Sequence, residues 1–238
     1  EAFAAHVNKY LVEVQGEKAH KVGVIKANPD QSKHLETATV KIHDTWIDFV
    51  NLRAEAYEEH SRIPTIEFGS AMDDALRRDF TINSLFYNVN TRQVEDYTGR
   101  GIKDLAVGLV RTPLEPTQTF LDDPLRVLRA IRFASRYAFE LDPAAVAAAR
   151  TPQVQAALRN KVARERVGTE LSKMMKAKNP MRAVHYVREL DVFDIVFTRP
   201  AGVEPTSAAA FATAPTPIQL TEMMDSLLAA ESPDVVFE

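Results

Sequence analysis

The stretch Leu121-Asp122-Asp123-Pro124-Leu125-Arg126-Val127-Leu128-Arg129-Ala130-Ile131-Arg132-Phe133-Ala134 constrains this chain more than any other. An acid followed by proline is a favourable helix start. Leu125, Leu128 and Ile131 supply an apolar stripe. Arg126, Arg129 and Arg132 recur at the same three-residue step. Each step turns about 60° around the axis, so the basic stripe spirals rather than holding one face. A helix that only needs solubility more often mixes in Lys and Glu partners. The spacing therefore predicts a helix from Pro124 to Tyr137 that packs on one side and grips a polar ligand on another.

The acid and the arginines suit one kind of ligand. An ionised Asp only accepts hydrogen bonds and an Arg only donates them. Cytosine and adenine each offer an exocyclic amine beside an unprotonated ring nitrogen, which suits an Asp and an Arg side by side. Uracil and guanine present a carbonyl beside a protonated nitrogen, which such a pair mismatches in a dry pocket. Asp123 with Arg126 thus favours C and A without any template. Helix capping is the other use of Asp123. In that case Asp122 shares the work.

A second cluster, Arg77-Arg78-Asp79-Phe80-Thr81-Ile82-Asn83, precedes the first. Here Asp79 is expected to cap a helix from Phe80 through Leu85. Two guanidiniums beside a helix N-terminus suit phosphate or ribose oxygens. Asn83, four residues after Asp79, reaches a ribose or packs. A surface ion-pair cluster with Asp73 and Asp74 is the alternative. Asp48 interrupts the apolar run Trp46 to Leu52, where acids are depleted. It reads as partly buried, either as a candidate catalytic metal carboxylate or as a structural Asp bonded to Arg53.

Elsewhere the pattern is α+β, then helical. A helix fills Ala2 to Val14 and a short strand Val22 to Ile25. Leu35 to Ile42 and Trp46 to Leu52 form a hairpin across His43-Asp44-Thr45. A small strand pair flanks Asn90-Thr91-Arg92. Thr112-Pro113 and Glu115-Pro116 read as a linker. Helices follow over Pro143 to Ala149, Pro152 to Leu158, Val162 to Met175 and Met181 to Leu190. A loop over Thr198 to Thr216 then leads to a last helix, Ile218 to Ala230. With a net charge of -4, the chain does not coat nucleic acid by bulk charge, though local basic patches remain effective. No cysteine is present, so disulfides and thiolate metal sites are excluded. No apolar run is long enough to span a membrane.

These motifs, in this order and spacing, resemble the tRNA nucleotidyltransferases, the CCA-adding enzymes of the class shared with bacterial poly(A) polymerases. Arg77-Arg78-Asp79-Phe80-Thr81-Ile82-Asn83 looks like that family's ribose and phosphate motif. Asp122-Asp123-Pro124-Leu125-Arg126 resembles its Glu-Asp-x-x-Arg base-selecting motif, with Asp in place of Glu, and Arg129 and Arg132 match the downstream arginines. Asp96 to Leu105 resembles the segment before the neck, and Arg164-Glu165-Arg166 a later motif that braces it. Lys33 to Thr39 with Asp48 to Arg53 looks most like the fungal members.

The resemblance implies a polymerase-β-like nucleotidyltransferase head, here incomplete, over residues 1–112. A neck with the nucleotide-selecting helix over 113–150 and a helical body with the start of a tail over 151–238 follow. It implies addition of C, C and A to tRNA 3′ ends from CTP and ATP with Mg²⁺. The implied nucleotide-binding residues are Arg77, Arg78, Asp79, Asn83, Asp122, Asp123, Arg126, Arg129 and Arg132. The family's Gly-Gly-x-x-Arg-Asp segment and Asp-x-Asp metal ligands are not in the chain. They are expected upstream of residue 1, so the chain reads as a fragment, inactive alone. Two other readings stand beside this one. A poly(A) polymerase would use only ATP, and an RNA-binding module on the same fold would not catalyse. The expected location is intracellular, in cytoplasm, nucleus or mitochondrion, with no membrane partner.

Overall fold

The computed structural model describes residues 1–25, 37–56 and 65–197. Helix α1 (Ala2–Glu13) packs beside an antiparallel sheet of β1 (Gly23–Ile25), β2 (Thr37–Ile42) and β3 (Thr45–Phe49). The register sets Thr39 opposite Asp48 and Lys41 opposite Trp46. Alternation buries Ala38 and Val40 on β2, while β3 stays open to solvent through Asp48. His43 and Asp44 turn this hairpin at φ 44° and 64°, a conformation that Asp tolerates through its short polar side chain. Leu35 and Glu36 lie outside the described residues, as do the loop from Thr198 and the helix expected over Ile218 to Ala230.

Next comes a hairpin that sequence patterning does not reveal, β4 (Arg53–Ala56) with β5 (Thr65–Phe68). Its alternation, Arg-Ala-Glu-Ala, has little strand propensity of its own. Docking holds it instead. A Cβ on Gly69 would lie 2.5 Å from the Ala54 amide nitrogen, so only glycine allows this approach. Ser70 then opens α2 (Ala71–Leu76) with a reciprocal capping box to Asp73.

After α2 the chain departs from expectation. No helix runs from Phe80 to Leu85. A single 3₁₀ turn over Thr81–Asn83 leads directly into β6 (Leu85–Asn88), paired with β7 (Gln93–Asp96) as expected. Thr81 is the reason: its N–H donates to the Arg111 carbonyl at 2.8 Å and its hydroxyl to buried Asp104 at 2.7 Å. Those bonds fasten the turn to α3 (Gly101–Val107) and to the start of the following segment. Of the expected linker, Thr112-Pro113 lies between elements, but Glu115-Pro116 opens a helix. After β8 (Leu109–Val110), Glu115 caps α4 (Pro116–Asp122) by accepting from the Thr117 and Gln118 amides.

α5 (Leu125–Tyr137) is the axis of the helical half. Val127, Leu128, Ala130, Ile131 and Ala134 are all buried, so far more than one stripe packs. Around it lie α4, β9 (Glu140–Leu141, parallel to β8), α8 (Arg164–Met175) and α9 (Pro180–Glu189). α6 (Pro143–Ala149), α7 (Pro152–Lys161) and the short α10 (Phe193–Val196) complete the bundle. Proline at the first turn opens α4, α6, α7 and α9, as that residue's fixed φ favours. No helix among the described residues is long and apolar enough to cross a membrane.

Candidate functional site

The end of α2 and the start of α5 face each other across a cleft of about 660 Å³. Arg53, Glu55, Arg77, Arg78, Asp79, Asn83, Asp123, Arg126, Arg129 and Phe133 line it. Five of these are arginines against three carboxylates, so the cleft favours an anion.

The α2 side is organised by an acid the sequence did not single out as a site residue. Asp74 is 2% exposed. Its Oδ1 accepts from Arg77 Nε at 3.1 Å and Nη2, and from the Arg53 amide at 3.3 Å. Its Oδ2 accepts from Arg78 Nε at 3.1 Å and Nη2 at 2.8 Å. Burial pushes this carboxyl up, but the hydrogen bonds and charges of Arg77 and Arg78 outweigh it and hold it below the usual range. The cluster is thus no loose surface ion pair. Arg78 also donates to the Asn83 carbonyl at 2.9 Å, and its guanidinium lies 4.9 Å from the centre of the Phe86 ring.

Asp79 caps no α-helix. Its Oδ1 accepts from the Phe80 amide and from Asn83 Nδ2, each at 3.0 Å. Its Oδ2 accepts from Arg129 Nε at 2.8 Å and Nη2. The ion pair ties the two walls of the cleft together.

On the α5 side, Asp123 is a single extended residue (φ −136°, ψ 98°) between α4 and α5. It both helps cap and stays accessible. Oδ1 accepts from the Leu125 amide at a long 3.3 Å, and Oδ2 from Arg166 at 3.1 Å. Arg126 is largely buried. It donates to the Thr119 carbonyl at 3.2 Å and the Arg77 carbonyl at 2.7 Å. Both partners are neutral, so its full positive charge stays in the cleft.

Three expected residues stand elsewhere. Asp122 lines a smaller cavity of about 190 Å³ behind Glu55, Arg77 and Arg126, and accepts from Gln118 at 2.7 Å. Arg132 is directed away from the cleft, pairing at 2.6 Å with Glu170 on α8, where both are buried. Asp48 is exposed rather than partly buried, and it accepts from the Thr39 hydroxyl across the hairpin at 2.7 Å instead of pairing with Arg53. Conversely Arg53 and Glu55 join the site through the β4–β5 hairpin, which no sequence signal announces.

Magnesium does not fit the groups gathered here. Among the described residues, no cluster of three His or acidic side chains could hold a metal ion. Each carboxylate of the cleft already carries an arginine, at Glu55, Asp79 and Asp123 alike.

Residues 1–111 match the Poly A polymerase head domain. The mitochondrial CCA tRNA nucleotidyltransferase of Saccharomyces cerevisiae is 48% identical over 200 residues, covering 83% of this chain and 37% of that enzyme. A tRNA nucleotidyltransferase of Schizosaccharomyces pombe is 50% identical over 184 residues, covering 77% of this chain and 38% of its own length. The apo form II structure of a CCA-adding enzyme superposes with a TM-score of 0.69 at 25% identity, covering 96% of this chain and 47% of that one.

Over these stretches the chain is similar to the tRNA nucleotidyltransferases and poly(A) polymerases. It spans little more than a third of the length of these curated relatives. Its likeness to fungal CCA tRNA nucleotidyltransferases is strong over both the head and the arginine helix.

Proposed function

We propose that this chain is the nucleotide-selecting part of an enzyme that adds C, C and A to the 3′ end of tRNA, without a template, from CTP and ATP. One observation carries the reading. Asp123 and Arg126 enter the same cleft as Arg77, Arg78 and Asp79, so an acceptor and a donor for a base edge face a cluster of cations for its phosphates. Arg129 holds Asp79 in place between the two ends. The relatives named as CCA tRNA nucleotidyltransferases support this reading over one confined to ATP.

Residues 1–112 are read as the head, 113–150 as the neck and 151–238 as the body, in keeping with the head-domain match ending at residue 111. Mg²⁺ belongs to the proposed transfer reaction, but the described residues supply no ligand set for it. A mitochondrial location follows the yeast relative's name. The test is equilibrium binding of CTP, ATP, GTP and UTP to this chain. Preference for CTP and ATP over the other two is expected. Equal affinity for all four would remove the base-selecting role.

A further inference from the structure

Glu55 lines the cleft, yet as an anion it has no attraction for phosphate. Its side chain is 6% exposed. Burying a carboxylate is costly unless it is paired. Glu55 is paired: Oε1 meets Arg77 Nη1 at 2.8 Å and Arg53 Nε at 3.1 Å.

Asp74 alone does not neutralise Arg77, because it is shared with Arg78. It takes the Nε and Nη2 edge of the Arg77 guanidinium, and Nε also donates to the Arg53 carbonyl at 3.2 Å. Glu55 on Nη1 therefore adds direction as well as charge. With Nε and one N–H on each terminal nitrogen engaged, the plane of the group is fixed. One N–H remains on Nη1 and one on Nη2, and both are donors suited to phosphate oxygens. Glu55 stands on β4 while Arg77 follows α2, so the contact also couples the hairpin's position to the site.

We propose that Glu55 is a positioning residue, which aims the Arg77 guanidinium at the polyphosphate of an incoming nucleotide and acts on substrate only through Arg77. The role rests on the assignment of the cleft to a nucleoside triphosphate.

The test uses this chain with Glu55→Gln, Glu55→Asp, Arg77→Lys and the double variant Glu55→Gln/Arg77→Lys. Affinity for CTP and for inorganic tripolyphosphate is measured beside the thermal midpoint. Glu55→Gln is expected to weaken both ligands about tenfold, with the CTP-to-GTP ratio unchanged, the midpoint lowered by the loss of a buried ion pair, and partial rescue of binding by Glu55→Asp. The double variant should bind no more weakly than Arg77→Lys alone. A ¹⁵N spectrum of the arginine Nε–H groups should show the Arg77 signal broadened in Glu55→Gln.

Unchanged or tighter binding by Glu55→Gln overturns the proposal, because the carboxylate would then be only a counter-charge that repels phosphate. Additive losses in the double variant overturn it too. If the unaltered chain binds neither ligand, the nucleotide assignment itself falls. A broadened Arg77 signal would then mark Glu55 as purely structural.

Discussion

The two walls of the cleft hold their arginines by opposite means. On the α2 side, Arg77 and Arg78 sit on a shared buried carboxylate, so much of their charge is cancelled locally. On the α5 side, Arg126 rests on two neutral carbonyl oxygens. Carbonyls fix a guanidinium's position without cancelling its charge, whereas a carboxylate fixes and cancels together. The first wall is therefore stiff and electrostatically tempered, and the second keeps an undiminished cation close to where a base would lie. Nearly two turns further along α5 the means change again, since Arg132 meets Glu170 in the core and serves packing. A run of identical residues at identical spacing thus divides into a cleft-lining member at Arg126, a wall-to-wall tie at Arg129 and a core member at Arg132.

The comparison breaks most sharply at that core member. Glu170→Ala leaves Arg132 charged and buried without its partner, and should cost about 3–5 kcal/mol in chemical denaturation. A loss below about 1 kcal/mol would show that water reaches the pair. Asp74→Asn tests the other wall and should cost about 2 kcal/mol at neutral pH. The folded-state pKa of Asp74 is depressed, so its contribution is present above the unfolded carboxylate value of about 4 and is lost as pH falls through the folded value. The acid limb of the stability curve should accordingly flatten in Asp74→Asn. An unchanged limb would remove Asp74 as the anchor of that wall.

Binding sharpens the contrast further. Asp123→Ala should reduce the preference for CTP and ATP over GTP and UTP about tenfold. Arg77→Ala should instead weaken all four nucleotides alike, and a loss confined to one base would contradict its assignment to phosphate. The smallest effect lies at the far end of α5, where Ala138 closes the helix at φ 55°. Ala138→Gly should raise stability by up to about 1 kcal/mol, seen as a small rise in thermal midpoint, since glycine adopts this conformation without a Cβ clash.

What was legible in the sequence tracks how locally each feature is determined. α5 and the β2–β3 and β6–β7 hairpins follow from periodicity and turn chemistry, and the structure places them close to where those rules do. The Glu115-Pro116 pair misled because proline after a capping acid opens a helix as readily as it marks a linker. The segment after Asp79 misled because Thr81 is fastened to Arg111 and Asp104, residues far along the chain, which stops a helix after one 3₁₀ turn. Glu55 and the burial of Asp74, though not its pairing with Arg77 and Arg78, were hidden for the same physical reason. An acid in a weak strand and an acid in a short helix look like solvated surface until the β4–β5 hairpin and a helix end meet over them. That Asp123 and Arg126 line one cleft was legible since both stand at one helix start.

The hydrogen bond from Arg126 to the Arg77 carbonyl joins the walls through backbone rather than through two side chains. It works as a rivet. Any rotation of α5 about its own axis would pull directly on the peptide that carries Arg77, so the Arg126 and Arg77 ends of the cleft move as one part. Variation in what such a cleft accepts must then come from exchanging the side chains set into its walls, because their spacing is not separately adjustable.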